Sequence, residues 1–294
     1  MFLCLIVLLS CSKKQEQIEL AYRDAPVVNA KRIRLAVHPL HNPTKLAEVF
    51  GPLVGYLNKN IKTVVFELEA STNYSAFEAK IKSRQIDVGL PNPYQTLMSL
   101  ENGYRIFGKM GDDKNFRGVI LVRRDSGIKK ISDLKGKSIS YPAATALAAT
   151  MLPQEFLIRS GLNLFKETKS LYVGSQESSI LSVFLKTSQA GATWPPPWNS
   201  FAQTYPNKAK ELEILWQTDT LPNNGLIARD DIPGPLLDQI KQLIFTLHEN
   251  DEGRTILAGI GLSRFEAADE KTFEPVKKFL EKFKKEIRAP EQEL

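Results

Sequence analysis

Short apolar runs alternate with amphipathic, helix-like segments, and this alternation restricts the fold more than any other feature of the sequence. One series of strand-like and helix-like segments occupies residues 31–108, and a second occupies residues 138–217. Repeated strand–helix units at this spacing predict mostly parallel β-sheets that are covered by helices. We therefore expect an α/β protein that contains two such units.

Two extended segments join the two units, at residues 116–124 and 224–229. This arrangement predicts two lobes connected by two crossover hinge strands, with a ligand cleft between the lobes that can close by a hinge motion. We assign residues 31–121 and 221–294 to lobe I and residues 122–220 to lobe II. Lobe I is then discontinuous and is built from both ends of the chain.

Residues 138–153 are typical of a short strand, a turn and a helix. Pro142 ends the strand, and an Ala-rich run that favours helix follows it. The first N–H groups of such a helix have no partner within it, and together with the helix dipole they can bind an anion. We therefore expect an anion site at Ala144, Thr145 and Ala146. The alternative is that these small side chains only pack tightly against the sheet.

The N-terminal residues 1–11 resemble a bacterial lipoprotein signal, in which a short apolar run precedes a cysteine that becomes lipidated. We expect acyl chains on Cys11 to anchor the protein to a membrane and the polar residues 12–30 to form a tether. No Lys or Arg precedes the apolar run, which departs from the pattern. The other cysteine, Cys4, would be removed with the signal, which argues against thiol catalysis and thiolate–metal binding.

The charge balance is only mildly basic, with 39 Lys and Arg residues against 33 Asp and Glu residues and a net charge of +6. The sequence contains no Arg-rich arm, zinc-ligand spacing or aromatic–basic platform, which argues against nucleic-acid binding. It contains no known catalytic motif, and we expect neither an enzyme nor a cofactor. His38 and His41 lack a clear third ligand, so we expect loop hydrogen bonds from them and no metal site.

Three segments resemble the phosphate/phosphite/phosphonate-type substrate-binding proteins of ABC transporters. They are residues 123–137, which contain Arg-Arg-Asp-Ser-Gly-Ile and Ile-Ser-Asp-Leu-Lys-Gly-Lys, residues 174–180 and residues 221–225. The resemblance extends from about residue 33 to residue 287. It implies a type II periplasmic-binding-protein fold and an extracytoplasmic receptor that closes on a small oxyanion and delivers it to a permease.

The resemblance also implies binding positions. Tyr74 matches the family's pocket tyrosine, the family's Ser-Thr-Ser falls on residues 144–146, and its pocket histidine falls on Gln176. A carboxylate that holds the amine of aminophosphonates falls on Asn224, and a second falls within residues 194–198, which contain none. A cationic amine needs an anionic partner, and these matched positions do not supply one.

The expected binding residues lie where strands end, since ligands of such sheets bind beyond the carboxyl ends of strands. Trp194 begins the segment Trp-Pro-Pro-Pro-Trp, which forms either an apolar wall of the cleft or a rigid surface turn. The full set is Tyr74, Asn92, Tyr94, Ala144, Thr145, Ala146, Ser175, Gln176, Trp194 and Asn224.

These observations lead to one expected function and two alternatives. We expect a lipid-anchored solute-binding protein on the periplasmic side of a bacterial membrane, which captures a small anionic ligand for an ABC permease. The first alternative is a sensory or accessory receptor for a membrane signalling or redox partner. The second alternative is an exported enzyme that uses the same cleft.

Overall fold

The computed structural model describes residues 31–294. The predicted signal, the tether and Cys11 lie outside the described residues. Two β-sheets organise the described part of the chain. Their strands are β1 (Lys31–Val37), β2 (Val64–Glu69), β3 (Val88–Leu90), β4 (Tyr104–Met110), β5 (Arg117–Arg123), β6 (Lys137–Tyr141), β7 (Thr168–Tyr172), β8 (Ala190–Thr193), β9 (Leu212–Thr220), β10 (Gly225–Arg229) and β11 (Phe265–Ala267).

The helices connect these strands in the alternating order that the sequence predicts. They are α1 (Pro43–Asn60), α2 (Tyr74–Lys82), α3 (Pro93–Leu100), a π-helical turn (Leu147–Met151), α4 (Leu152–Arg159), α5 (Leu164–Glu167), α6 (Gln176–Phe184), α7 (Pro195–Thr204), α8 (Pro206–Ala209), α9 (Gly234–Phe245), α10 (Asp251–Ile260) and α11 (Glu274–Glu286). None of the helices within residues 31–294 is long and apolar enough to cross a membrane.

Both sheets are mixed, whereas the alternation predicted mostly parallel sheets. The six-stranded sheet of lobe I has the order β11-β4-β10-β3-β1-β2, and the five-stranded sheet of lobe II has the order β7-β6-β8-β5-β9. β1 runs parallel to β2 and β3, but β10 lies antiparallel between β3 and β4. The segment predicted as a return crossover is therefore an interior strand, because the chain re-enters lobe I at the centre of its sheet.

The boundary between the lobes differs from the predicted one. β5 pairs with β8 and β9 in the second sheet, so residues 117–121, which we assigned to lobe I, belong to lobe II. The apolar residues 119–122 are fully buried there. The actual crossovers are the shorter segments 111–116 and 221–224, each of which leaves one sheet and enters the other within a few residues.

Hydrogen bonds join the two crossovers to each other. Asp113 Oδ1 accepts from Lys109 Nζ at 2.8 Å and from the backbone N–H of Asn223 at 2.9 Å. Asn223 Nδ2 donates to the carbonyl oxygen of Gly111 at 2.8 Å. Lys109 is buried and also pairs with Glu266 at 2.9 Å, so its charge is compensated. These contacts hold the two crossovers together at the position where we expect the hinge.

Local sequence explains why α1 forms and how it meets the cleft. Asn42 caps the helix by accepting the N–H of Lys45 at 2.9 Å, and Pro43 occupies the first turn, where its missing N–H costs nothing. Leu46, Phe50 and other apolar residues of one face are buried in the core of lobe I. Each such side chain contributes about 1.5–3 kcal/mol on burial. The N-terminus of α1 is thereby held at the edge of the cleft.

Candidate ligand-binding site

A small cavity lined by buried residues lies between the lobes, where several strands end or begin. Its volume is about 10 Å³, which is room for roughly one water molecule. The lining residues come from loops and helix starts of both lobes and from the crossovers. They are His38, Tyr74, Asn92, Phe116, Ala146, Leu147, Ala148, Ala149, Gln176, Trp194 and Asn224.

Six of the ten predicted binding residues line this cavity. They are Tyr74, Asn92, Ala146, Gln176, Trp194 and Asn224. Ser175 lines a wider opening next to Gln176 instead. Tyr94, Ala144 and Thr145 lie outside the lining, and their polar groups bond elsewhere. Location in the cavity does not establish binding, so the binding roles of all ten residues stay predictions.

The start of the helix after Pro142 differs from the prediction by three residues. A turn closes first, with the N–H of Ala146 donating to Ala143 O at 3.2 Å. The first helical bonds then run from Thr150 and Met151 to Ala146 O, at 2.8 and 3.3 Å, and the second closes a π-type turn. The N–H groups that the helix start leaves free are therefore those of residues 147–149, which we call the cradle, whereas the N–H of Ala146 is bonded within the turn.

Thr145 and Ala144 are held by lobe I rather than directed into the cavity. The hydroxyl of Thr145 donates to Glu78 Oε1 at 2.5 Å, and its carbonyl oxygen accepts from Asn92 Nδ2 at 3.1 Å. Glu78 also accepts from Gln95 at 3.0 Å, and burial raises the pKa of its carboxyl group. The turn before the cradle is thus bonded to lobe I, and the lobes are closed on each other.

A second bond between the lobes forms directly at the cavity. Gln176 Nε2 donates to the hydroxyl oxygen of Tyr74 at 3.0 Å, while Gln176 Oε1 accepts from Thr193 at 2.8 Å. Ser175 caps α6 by accepting the N–H of Ser178 at 3.1 Å, which places Gln176 in the first turn of that helix. Burial raises the pKa of Tyr74, so its hydroxyl stays protonated and available as a donor.

His38 lines the cavity as a neutral imidazole. Burial lowers its pKa to about 4, and its Nδ1 lies 2.9 Å from Leu90 O. A carbonyl oxygen only accepts, so Nδ1 carries the proton and Nε2 is left as an acceptor. The ring also packs edge-on against Tyr74 and Phe77. His38 was predicted to form loop hydrogen bonds, but its place at the end of β1 was the signal for a cleft position.

The cavity is otherwise lined by amide and aromatic groups. None of its described lining residues carries a carboxylate, an ammonium or a guanidinium group. Phe116 packs edge-on against Trp194, with ring centroids 5.4 Å apart. Asn224 Oδ1 is buried without a hydrogen-bond partner in the described part of the chain, and its Nδ2 contacts only Met110 Sδ at 3.4 Å. This amide can therefore turn either end towards a ligand.

The two Trp residues of the Pro-rich segment have different places. α7 begins at Pro195, because Pro is tolerated in the first turn of a helix, so the segment is not a rigid turn. Trp194 precedes the helix and is 2% exposed at the cavity. Trp198 stacks on Phe201 and packs in the core of lobe II. The apolar-wall interpretation therefore applies to the location of Trp194 alone.

A wider cleft of about 600 Å³ adjoins the cavity at Gln176 and opens to the surface. It lies between the N-terminus of α1 on lobe I and, on lobe II, the first turn of α6 and one side of α7. Asn42 Nδ2 donates across it to Glu177 Oε2 at 3.3 Å. The small cavity is therefore the inner end of a longer groove between the lobes.

Comparison with known proteins identifies the family. The model for the periplasmic substrate-binding proteins of phosphonate ABC transporters matches residues 35–273. The chain belongs to this family. The probable ABC transporter phosphite binding protein PhnD1 of Prochlorococcus marinus is 21% identical over 273 residues, which cover 87% of this chain and 91% of that protein.

Solved structures agree with the fold. PhnD1 from Prochlorococcus marinus in complex with methylphosphonate matches at a TM-score of 0.80 and 19% identity, over 87% of this chain and 100% of that one. A binding-protein component of an ABC phosphonate transporter from Pseudomonas aeruginosa also matches at a TM-score of 0.80, with 15% identity and 87% of both chains covered. The predicted family and the two-lobe type II fold are confirmed. The family is that of periplasmic substrate-binding proteins of phosphonate ABC transporters.

Proposed function

We propose that this receptor binds a small tetrahedral oxyanion of the phosphonate or phosphite class in the small cavity between the lobes and delivers it to an ABC permease. The observation that carries the proposal is the helix start at residues 147–149. Its N–H groups precede the first helical bond and border a cavity without a carboxylate among the described lining residues. Free N–H groups and the positive end of a helix bind anions.

The remaining lining groups suit an anion that has one apolar substituent. Tyr74 and Gln176 provide a hydroxyl and an amide near the cradle, and Nε2 of the neutral His38 can accept a hydrogen bond from the O–H of a singly protonated oxyanion. Phe116 and Trp194 provide an aromatic surface for a hydrogen atom or a methyl group. An amine substituent would lie in the cavity without a counter-charge, which disfavours aminophosphonates.

The cavity volume requires the lobes to move when a ligand enters. A phosphite or methylphosphonate ion is several times larger than a space of about 10 Å³. A small rotation about the crossovers 111–116 and 221–224 would enlarge the space, because these segments are the covalent links between the two sheets. Ligand binding then replaces some of the direct bonds between lobes with bonds through the anion.

Titration calorimetry with phosphite, methylphosphonate, phosphate and 2-aminoethylphosphonate tests this function. Phosphite or methylphosphonate is expected to bind at about micromolar Kd or tighter, and 2-aminoethylphosphonate at least about tenfold more weakly. Methanesulfonate is the matched control, because it has the same shape but no O–H that could donate a hydrogen bond to His38. If no phosphorus oxyanion binds below about 1 mM while another ligand class does, the assignment is wrong.

We also propose that the receptor is held at the periplasmic face of a membrane by acyl chains on Cys11. The support is the sequence around Cys11, which lies outside the described residues. A short acylated segment gives stable anchoring when more than one chain is attached. The full chain expressed in a bacterium should fractionate with membranes and enter a detergent phase. The Cys11→Ala variant should lose both properties, and unchanged membrane association of that variant would contradict the anchor.

A further inference from the structure

The end of the chain reaches lobe II beside the cradle. Arg288 follows α11 of lobe I, and its side chain is only 6% exposed. Its Nη2 donates to the carbonyl oxygen of Ala144 at 2.9 Å, and its Nε donates to Gln154 Oε1 at 3.0 Å. Ala144 belongs to the turn that precedes the cradle, and Gln154 belongs to α4, which continues from it. The guanidinium therefore holds this segment of lobe II at two points.

The residues around Arg288 keep it in place. Its Nη1 donates to the carbonyl oxygens of Ala289 at 3.0 Å and Pro290 at 2.7 Å. Its guanidinium also stacks on the ring of Phe283, 5.0 Å from the centroid. Further along, the N–H of Leu294 donates to Tyr172 OH in lobe II at 3.1 Å. The chain end is thus bonded to both lobes.

Arg288 is a buried charge with only neutral hydrogen-bond partners. All four of its acceptors are amide or carbonyl oxygens, and no ion pair within residues 31–294 includes it. Arginine keeps its proton even where burial lowers its pKa, as burial does here. No carboxylate contacts the guanidinium directly, and Glu291 and Glu293 compensate its charge only through space. An anion bound nearby would compensate more of the cost of burying this cation.

We propose that Arg288 is a positioning residue for the anion site. It fixes the turn 143–146, and thereby the direction of the cradle N–H groups, and it supplies the positive potential that the described cavity lining lacks. Ala144 O lies one turn before the cradle, so the guanidinium is on the order of 10 Å from a bound anion. At the effective dielectric constant of proteins, one charge at that distance changes a binding constant roughly tenfold. The anion part of this inference rests on the proposed function.

Two substitutions at Arg288 separate the charge from the hydrogen-bonding fork. Arg288→Gln removes the charge and most of the N–H donors of the guanidinium. Arg288→Lys keeps the charge but loses the planar set of N–H donors. Lys282→Gln is the matched control, because Lys282 is also a cation of α11 that contacts lobe II, through Glu155 at 3.2 Å, but it is 51% exposed. All three variants are made in the full chain. If Arg288→Gln does not fold, Arg288→Lys still tests the inference.

Two measurements are made on each variant. The first is the affinity for methylphosphonate by calorimetry. The second is hydrogen exchange without ligand in the peptide 143–151, whose bonded amides include Ala146, Thr150 and Met151. Arg288→Gln should weaken binding at least about tenfold and raise exchange in this peptide. Arg288→Lys should raise exchange as much but weaken binding less, and Lys282→Gln should leave both within about twofold.

The exchange measurement keeps this inference separate from the proposed function. If wild type binds no phosphorus oxyanion, the proposed function fails, but localised exchange in Arg288→Gln still supports positioning of the turn. Wild-type affinity and wild-type exchange in Arg288→Gln would overturn the inference. Faster exchange across the whole chain, with none specific to residues 143–151, would also overturn it, because it would show a general loss of stability.

Discussion

Gly118→Ala tests whether the cradle packs directly against β5. A Cβ at this position would lie 2.6 Å from Ala148 O and 2.7 Å from Pro153 Cδ. Ordinary van der Waals contacts begin at 3.4 Å, so Ala148 O has to move about 0.8 Å away from the new Cβ atom. The backbone N–H of Gly118 is itself bonded to Thr218 Oγ1 at 2.9 Å, which limits movement of the strand. The helix start is therefore expected to shift.

The expected effects on stability and binding are both measurable. Overpacking by one methyl group at a rigid contact destabilises the fold by about 1–3 kcal/mol. A displacement of this size also misaligns hydrogen bonds to a charged ligand, each of which contributes about 1.5–3 kcal/mol. We expect the Kd for methylphosphonate to rise at least about tenfold. Urea unfolding gives the free energy of unfolding, and calorimetry at a temperature where the variant is folded gives the Kd.

Gly55→Ala is the control for this prediction. Gly55 lies within α1, and a Cβ there meets no atom within 4 Å. Alanine in a helix interior should stabilise the fold by about 0.5–1 kcal/mol and leave the Kd unchanged. If Gly118→Ala unfolds at the wild-type urea concentration and binds with the wild-type Kd, the cradle is not packed on β5 as described, and the reasoning is refuted.

Three further predictions concern the cavity. The folded-state pKa of His38 is lowered from 6.5 to about 4, so its contribution to stability is present above pH 6.5 and is lost as the pH falls towards 4. Between pH 7 and pH 4.5, the free energy of unfolding measured with urea should fall by about 2–3 kcal/mol less in His38→Gln than in wild type. An equal fall in the two proteins would contradict this prediction. Gln176→Ala removes the bond to Tyr74 and should weaken methylphosphonate binding about five- to fiftyfold by calorimetry. Because it also leaves Tyr74 and Thr193 without this partner, the melting temperature should fall by about 2–4 °C. Unchanged binding would contradict a role of this bond in holding the lobes closed. Ala148→Ser adds a hydroxyl to the cradle and should tighten phosphate binding about threefold or more, whereas Ala144→Ser should not, and the reverse order would return the anion site to residues 144–146.

The strands and helices could be predicted from the sequence because their apolar periodicity is strong. The buried strands β1 and β3 and the one-sided apolar face of α1 left clear patterns. The sheet to which β5 and β10 each belong could not be predicted from the sequence. Each is an apolar run next to a crossover, and the run does not show which sheet it joins. Only the pairing of β10 between β3 and β4, and of β5 between β8 and β9, decides this.

The general position of the site was predictable, but its atomic details were not. Tyr74, Asn92 and Gln176 follow strand ends and do line the cavity, as the rule for α/β sheets suggests. The start of the helix was predicted three residues too early, because the turn at Ala143–Ala146 and the π-type turn after it cannot be recognised in an Ala-rich run. Arg288 could not be found from sequence, because its contacts join residues 144 positions apart.

Backbone amide chemical shifts test the central claim most directly. In a titration of ¹⁵N-labelled protein with methylphosphonate, the N–H signals of Leu147, Ala148 and Ala149 should move furthest downfield and saturate at the calorimetric Kd, because these groups donate to the anion. The signal of Ala146 should move less, since its N–H is already bonded within the turn. If binding occurs and the signals of residues 147–149 stay unchanged, the helix start does not hold the ligand, and the account of the site is contradicted.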